Sequence, residues 1–189
     1  MNANYLRTSL YWSEMSPSEH LVQIYGEDDQ FLDALEGFVC SGLRNDESVI
    51  VIATAPHLHR LEQRLRANWL DPDRARYEQR YIPLLASETL AKFMVEDWPD
   101  GALFASTAAD VIARARGLRG RTVRAFGEMV ALLWAQGQTE AALRLEHLWH
   151  KVIEKEQIPL FCAYPKLGFK KDAGAIRAVC AAHSKVVPT

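Results

Sequence analysis

No apolar run in this chain approaches the ~18 residues needed to span a bilayer. The opening stretch, Met1 to Glu14, mixes Asn, Arg, Ser and Glu and lacks the apolar centre of a secretory signal. Cysteine is scarce. Cys40, Cys162 and Cys180 are odd in number, far apart and without a Cys-x-x-Cys pair. That argues against a disulfide scaffold and makes a reducing cytoplasm the expected setting. An excess of one charge is also missing: 22 basic and 24 acidic side chains leave a net −2. No global field is then available to gather nucleic acid or anionic lipid, so neither partner is expected. What is present is a chain of 189 residues, 49% hydrophobic. This is enough for one domain with a sizeable core, needing neither disulfide nor structural metal to fold. Residues 1–19 read as an N-terminal arm and 20–189 as a single domain.

Strand and helix signals alternate along that domain. Leu21-Val-Gln-Ile-Tyr25 reads as a buried strand closed by Gly26, and Phe31, Leu35, Phe38, Val39 and Leu43 follow at helical spacing. Ser48 to Thr54, with its Val-Ile-Val-Ile run, is the clearest strand. A helix over 57–67, a weak strand at 81–85, a helix from Ser87 to about Val95 and another over 102–116 come next. A strand over 122–126, helices over 129–136 and 140–155, a strand over 159–164 and a helix over 173–183 complete the pattern, with Val186-Val187 as an edge strand. Gly137 and Thr139 supply a stop and an N-cap between the paired helices. Such alternation implies crossover connections, hence an α/β fold: a three-layer sandwich with a mainly parallel sheet.

Ligands in such folds gather at the carboxyl ends of strands. The loop after the first strand runs Gly26-Glu27-Asp28-Asp29-Gln30-Phe31-Leu32-Asp33. A phosphate-binding loop needs a second Gly, a Lys and a Ser/Thr where this chain has Phe31, Leu32 and Asp33. Three acids at a helix N-terminus suit its dipole, with Asp28 or Asp29 as the expected cap, and repel a polyphosphate. The scaffold has the form of a nucleotide-binding fold with a degenerate P-loop.

Six short blocks carry a resemblance. They are His20-Leu-Val-Gln-Ile-Tyr25-Gly26, Phe38-Val-Cys-Ser-Gly42-Leu43, Glu47-Ser-Val-Ile-Val-Ile-Ala-Thr54, Phe126-Gly-Glu-Met-Val130, Leu145-Glu146-His-Leu-Trp149 and Leu160-Phe-Cys-Ala-Tyr-Pro165. In this order, from about His20 to Ser184, they resemble the MEDS family, the sensory domains named after methanogens, methylotrophs and the dichloromethane-responsive repressor. The resemblance implies a degenerate RecA/KaiC-like core used for sensing, with small hydrocarbon derivatives as the ligand class. It also implies service to a histidine kinase or a transcription regulator. Many relatives are fused to such a module, and neither is expected within these 189 residues.

Several residues bear on function. Glu146 flanks the apolar stripe Ala142, Leu145, Trp149, Val152 and Ile153, so its carboxylate must find a donor or take a proton. Glu128 sits at a strand's carboxyl end. The functional reading has both acids lining a ligand pocket or switch; the plainer and favoured account is that each satisfies a neighbouring Arg, His or backbone group. Trp134, Trp149, Phe126, Tyr25 and Tyr164 form an apolar pocket or plain core, with core favoured. His20 is expected to play a structural role. His57-x-His59 and Cys180-x-x-His183 are the metal-like spacings, but neither offers three or four ligands, and no metal is assigned. Arg114, Arg116, Arg119, Arg121 and Arg124 read as a solvated face.

Taken together, the expected function is that of a non-enzymatic, cytoplasmic sensory domain without a cofactor, binding a small molecule or a signalling protein. Its ligand crevice is placed at Tyr25, Gly26, Asp28, Asp29, Thr54, Glu128 and Tyr164, with Glu146 behind. The alternative is a divergent nucleotide hydrolase using Glu128. A homo-oligomer stays open.

Overall fold

The computed structural model describes residues 12, 13, 15–169 and 173–188. Its centre is a six-stranded sheet in the order β3-β2-β6-β7-β1-β8. The strands are β1 (His20–Tyr25), β2 (Ser48–Ala53), β3 (Tyr81–Leu85), β6 (Val123–Gly127), β7 (Leu160–Pro165) and β8 (Lys185–Val186). Every pairing in it is parallel. A separate two-residue antiparallel pair joins β4 (Met94–Val95) to β5 (Trp98–Pro99). β4 falls at the end of the helix that the sequence predicts from Ser87 to about Val95, and β5 just beyond it: the helix stops at Ala91 and the chain turns through Glu96 and Asp97, both at positive φ.

The helices divide between the two faces, as the three-layer expectation requires. On one side lie α1 (Asp28–Arg44), α2 (Ala55–Ala67) and the short α3 (Pro72–Tyr77). On the other lie α4 (Ala86–Ala91), α5 (Gly101–Arg116), α6 (Met129–Ala135) and α7 (Thr139–Glu156), with α8 (Ala173–Ala181) placing Val179 in the same core. Alternate residues along each strand feed separate cores. Leu21, Val49, Val51, Phe126 and Phe161 face α1 and α2, while Val22, Ile50, Ile52, Cys162 and Tyr164 face α5 to α7. Both faces of β2 are dry, which is why its sequence is continuously apolar.

Local chemistry explains several element ends. Asp100 caps α5 by accepting from the backbone N–H of Ala102 and Leu103, and Gly117, at φ +55, ends it. Asp71 caps α3 in the same way. Other expected caps differ. Glu27, not Asp28 or Asp29, occupies the N-cap of α1 and makes no side-chain cap bond. Gln138 replaces Thr139 at the start of α7, and α4, expected from Ser87, begins at Ala86 after Leu85.

Two features of the interior escape composition. Trp12 is wholly buried, with its ring 5.3 Å from that of Phe38 and 5.1 Å from that of Phe161. Arg124 is not on a solvated face: it is 2% exposed. It donates to the carbonyls of Trp12 at 3.2 Å and Phe38 at 3.1 Å, pairs with Glu47, and lies over the Phe38 ring. Gly42 of α1 makes room for this arrangement; a Cβ there would meet Val49 Cγ2 at 2.7 Å and Arg124 Cδ at 2.9 Å.

Candidate functional site

The predicted site residues fall into two groups on opposite faces of the sheet. Tyr25, Asp28, Asp29, Thr54 and Glu128 gather at the carboxyl ends of β1, β2 and β6. Glu146 and Tyr164 lie on the α7 side, so the structure does not bring them into the same crevice.

At the strand ends Glu128 is the organising group. Its backbone N–H donates to Ile52 O at 2.8 Å, joining the end of β6 to β2. One carboxylate oxygen accepts from the backbone N–H of Thr54 at 2.8 Å. The other lies 2.7 Å from Nδ1 of His57, a residue of the first turn of α2. The far nitrogen of His57 lies 3.8 Å from Asp28. Burial disfavours a charged His57. Even so, the hydrogen bond to Glu128 and the charges of Glu128 and Asp28 outweigh burial, and the imidazole pKa rises above its ordinary value. Burial, reinforced by the same two carboxylates, pushes the Tyr25 phenol up as well. Asp28 and Asp29 are held by Arg60, and Asp29 also by Arg64 at 2.9 Å. These acids are therefore members of an α1–α2 ion-pair network. Gly26 is no cradle: a Cβ there would meet only Gln30 Oε1, at 3.8 Å.

Across the sheet, Glu146 is wholly enclosed and Tyr164 donates to its Oε1 at 2.5 Å. His20 Nε2 lies 3.3 Å and His183 Nε2 3.6 Å from Oε2. Burial acts to raise the Glu146 pKa, but the hydrogen bonds from His20 and Tyr164 and the two nearby imidazoles win, and the net shift is downward. Burial, helped by Glu146, drives the Cys162 thiol and the Tyr164 phenol well above their ordinary values. His20 is thus a structural partner, as the sequence suggests, but of a carboxylate 126 positions away in the fold's interior. Of the two metal-like spacings, His57 pairs with Glu128 and His59 with Gln63. His183 faces Glu146 while Cys180 is no part of that cluster.

Between the sheet and α5 lies a third feature, a small apolar cavity of ≈ 20 Å³. Ile50, Ile52, Phe104, Ala108, Met129 and Trp149 are among its walls. Phe126 and Tyr25, expected beside Trp149, belong to the opposite core. The cavity adjoins the strand-end network through two of its walls, Ile52 and Met129.

With this geometry in place, comparison with known families is decisive. The family model for MEDS, the MEthanogen/methylotroph, DcmR Sensory domain, matches residues 19–184. The chain belongs to the MEDS family. MEDS is a family of sensory domains, so the six sequence blocks and the model point to the same class. A search of curated proteins found no match. Among the described residues of this MEDS chain, no helix is long and apolar enough to cross a membrane.

His57 joins the candidate site through Glu128, although the sequence reading weighs it only as a metal-like spacing with His59. Its signal is a histidine four residues beyond the end of the buried strand β2, in a first helical turn that faces the strand ends.

Proposed function

We propose that this chain is a non-enzymatic sensory module that takes a small, largely apolar molecule, of the hydrocarbon-derivative class, into the cavity beside α5. Occupancy would be reported through Glu128 to a protein partner, a histidine kinase or a transcription regulator. The observation that carries this reading is the shared wall between cavity and network. Ile52 lines the cavity, and its carbonyl receives the Glu128 N–H at 2.8 Å. Met129 lines it too and is the next residue after Glu128. On this measure a single water needs roughly 10–15 Å³ of space. A volume of ≈ 20 Å³ holds little more than one water, so a ligand of a few heavy atoms would enter as the flexible Met129 yields more room. Displacing Met129 would alter the grip of Glu128 on Thr54 and His57, and so the exposed α1–α2 surface. A ligand favouring one of two packings is what such a shift requires.

Nucleotide turnover is disfavoured by the residues at the strand ends. A polyphosphate would meet Asp28 and Asp29, and Glu128 already engages Thr54 and His57 through its two oxygens.

Titration with short halogenated hydrocarbons, followed by thermal stability and by the His57 ring resonances, tests the reading. Saturable stabilisation, about 2.7 kcal/mol at a hundredfold excess over Kd, is expected together with a His57 shift. Both should vanish in Ala108→Leu, which fills the cavity. Absence of saturation across such ligands in the wild type, or micromolar ATP binding lost in Glu128→Gln, would overturn it.

A further inference from the structure

Four side chains from distant parts of the sequence converge beneath the β1–β7 pair, away from the cavity and the strand-end network. His20 begins β1, Cys162 lies on β7 opposite Val22, Glu146 comes from α7 and His183 follows α8. One donor atom from each lies within 4.8 Å of all the others, and among the described residues this is the group of His, Cys, Asp and Glu so arranged.

The separations have a definite meaning. Bond lengths near 2.0–2.1 Å to nitrogen or oxygen and near 2.3 Å to sulfur put the ligand atoms of a tetrahedral zinc about 3.3–3.6 Å apart. His20 Nε2 lies 3.3 Å and His183 Nε2 3.6 Å from Glu146 Oε2. Cys162 Sγ lies 3.5 Å from His20 Nε2 and 4.0 Å from Glu146 Oε2. Of these four separations only the last must tighten appreciably, and the two remaining ones, from His183 to His20 and to Cys162, lie within 4.8 Å.

The surroundings fix Glu146 and His183 for such a role. Tyr164 occupies Glu146 Oε1 and leaves Oε2 facing the cluster. His183 Nδ1 lies 2.7 Å from the Val179 carbonyl, which can only accept, so Nδ1 carries a hydrogen and, in the neutral imidazole, Nε2 holds the lone pair. These are the outer contacts that orient metal-binding imidazoles and carboxylates. The His183 side chain has no exposed surface, yet its Nε2 finds no hydrogen-bond partner. A lone pair with no donor to meet it, aimed at a carboxylate oxygen, calls for a cation between them.

We propose that His20 Nε2, His183 Nε2, Cys162 Sγ and Glu146 Oε2 bind one zinc-type divalent cation. Thiolate and imidazole ligands select zinc over magnesium or calcium. On binding, the Cys162 thiol gives its proton to solvent, the hydrogen that His20 directs from Nε2 to Glu146 moves to Nδ1, and both imidazoles ligate in neutral form. Two anionic ligands then balance the dication, so the buried centre is neutral and its burial correspondingly cheap. With all four positions taken by protein, the ion holds β1, β7, α7 and the segment after α8 together and leaves no open position for chemistry.

The test is to strip the full chain with a chelator and reload it with zinc(II), or with cobalt(II) as a spectroscopic probe. Expected are one zinc per chain, a rise in Tm on reloading, and a four-coordinate cobalt spectrum with a thiolate charge-transfer band. Cys162→Ser should abolish that band and weaken zinc binding by at least roughly 10–100-fold, the loss typical of even an outer-shell change. Glu146→Gln and His183→Gln should also weaken it, while the exposed His59→Gln should not. If any variant fails to fold, the wild-type cobalt band and stoichiometry decide. Substoichiometric zinc, a cobalt spectrum without thiolate character, or unchanged affinity in folded Cys162→Ser would overturn the proposal. That failure would leave the apolar-ligand reading untouched, because the two tests share neither residues nor probe.

Discussion

His57 Nδ1 lies 2.7 Å from Glu128 Oε1, joining the first turn of α2 to the residue that follows β6. The contact is nearly dry, with the two side chains 12% and 6% exposed. It gives the strand ends a protonatable latch.

A raised imidazole pKa sets the sign of the pH response. The stabilisation is complete below the unfolded value of about 6.5 and is lost as pH climbs through the higher folded value. Denaturant unfolding from pH 6 upward should therefore show falling stability, with a component of about 1–3 kcal/mol from the latch. In Glu128→Gln the His57 resonances should titrate at lower pH and this component should shrink.

Arg124 serves two carbonyls and Glu47 from a position that is 2% exposed. Replacement by Met should cost about 3 kcal/mol, since it leaves those acceptors and a partly buried carboxylate without their donor. Glu47→Gln should cost less, because that side chain is 21% exposed and its oxygens reach water. Urea denaturation of both variants measures the asymmetry.

Gly42→Ala sets helix propensity against packing. Propensity alone favours Ala by about 1 kcal/mol in a helix interior. The added methyl, however, would sit 2.7 Å from Val49 Cγ2 and 2.9 Å from Arg124 Cδ, both in the core. Overpacking costs typically 1–3 kcal/mol, so a net destabilisation of about 1 kcal/mol is expected in equilibrium unfolding.

Tyr164→Phe removes the donor at 2.5 Å from the enclosed Glu146 carboxylate. A loss of about 1.5–3 kcal/mol is expected, well above that of a surface hydroxyl. Calorimetric unfolding of the variant checks it.

Much of this architecture was legible. Continuous β-branched runs announced β2, and turn residues bracketed β1, β6 and β7, because burial on both faces leaves a plain mark in sequence. The edge pair near Val186 falls at Lys185–Val186, one residue from its expected place. The β4–β5 pair did not show, since two residues per strand are too few for a period to register. Nor did α3, whose cap Asp71 and Pro72 gave the better signal. Arg124 was hidden for a different reason: its neighbours in sequence are arginines on the surface, and only the third dimension supplies Phe38 and Trp12. Glu146 stood out as an acid that had to find a partner, and Glu128 by its place at a strand's carboxyl end. Their partners, His57, His20 and His183, were invisible because no local spacing records a contact between segments far apart in sequence.

β1 emerges early from the ribosome, yet its neighbours come late. Cys162 stands 142 residues beyond His20, and Ser184, whose hydroxyl and backbone both bond to His20, stands 164 residues beyond it. Contacts of such long range close slowly. During synthesis β1 must therefore wait with bare edges while β2, β3 and β6 pair among themselves, and a nascent chain stalled before β7 would offer that strand to chaperones or to aggregation.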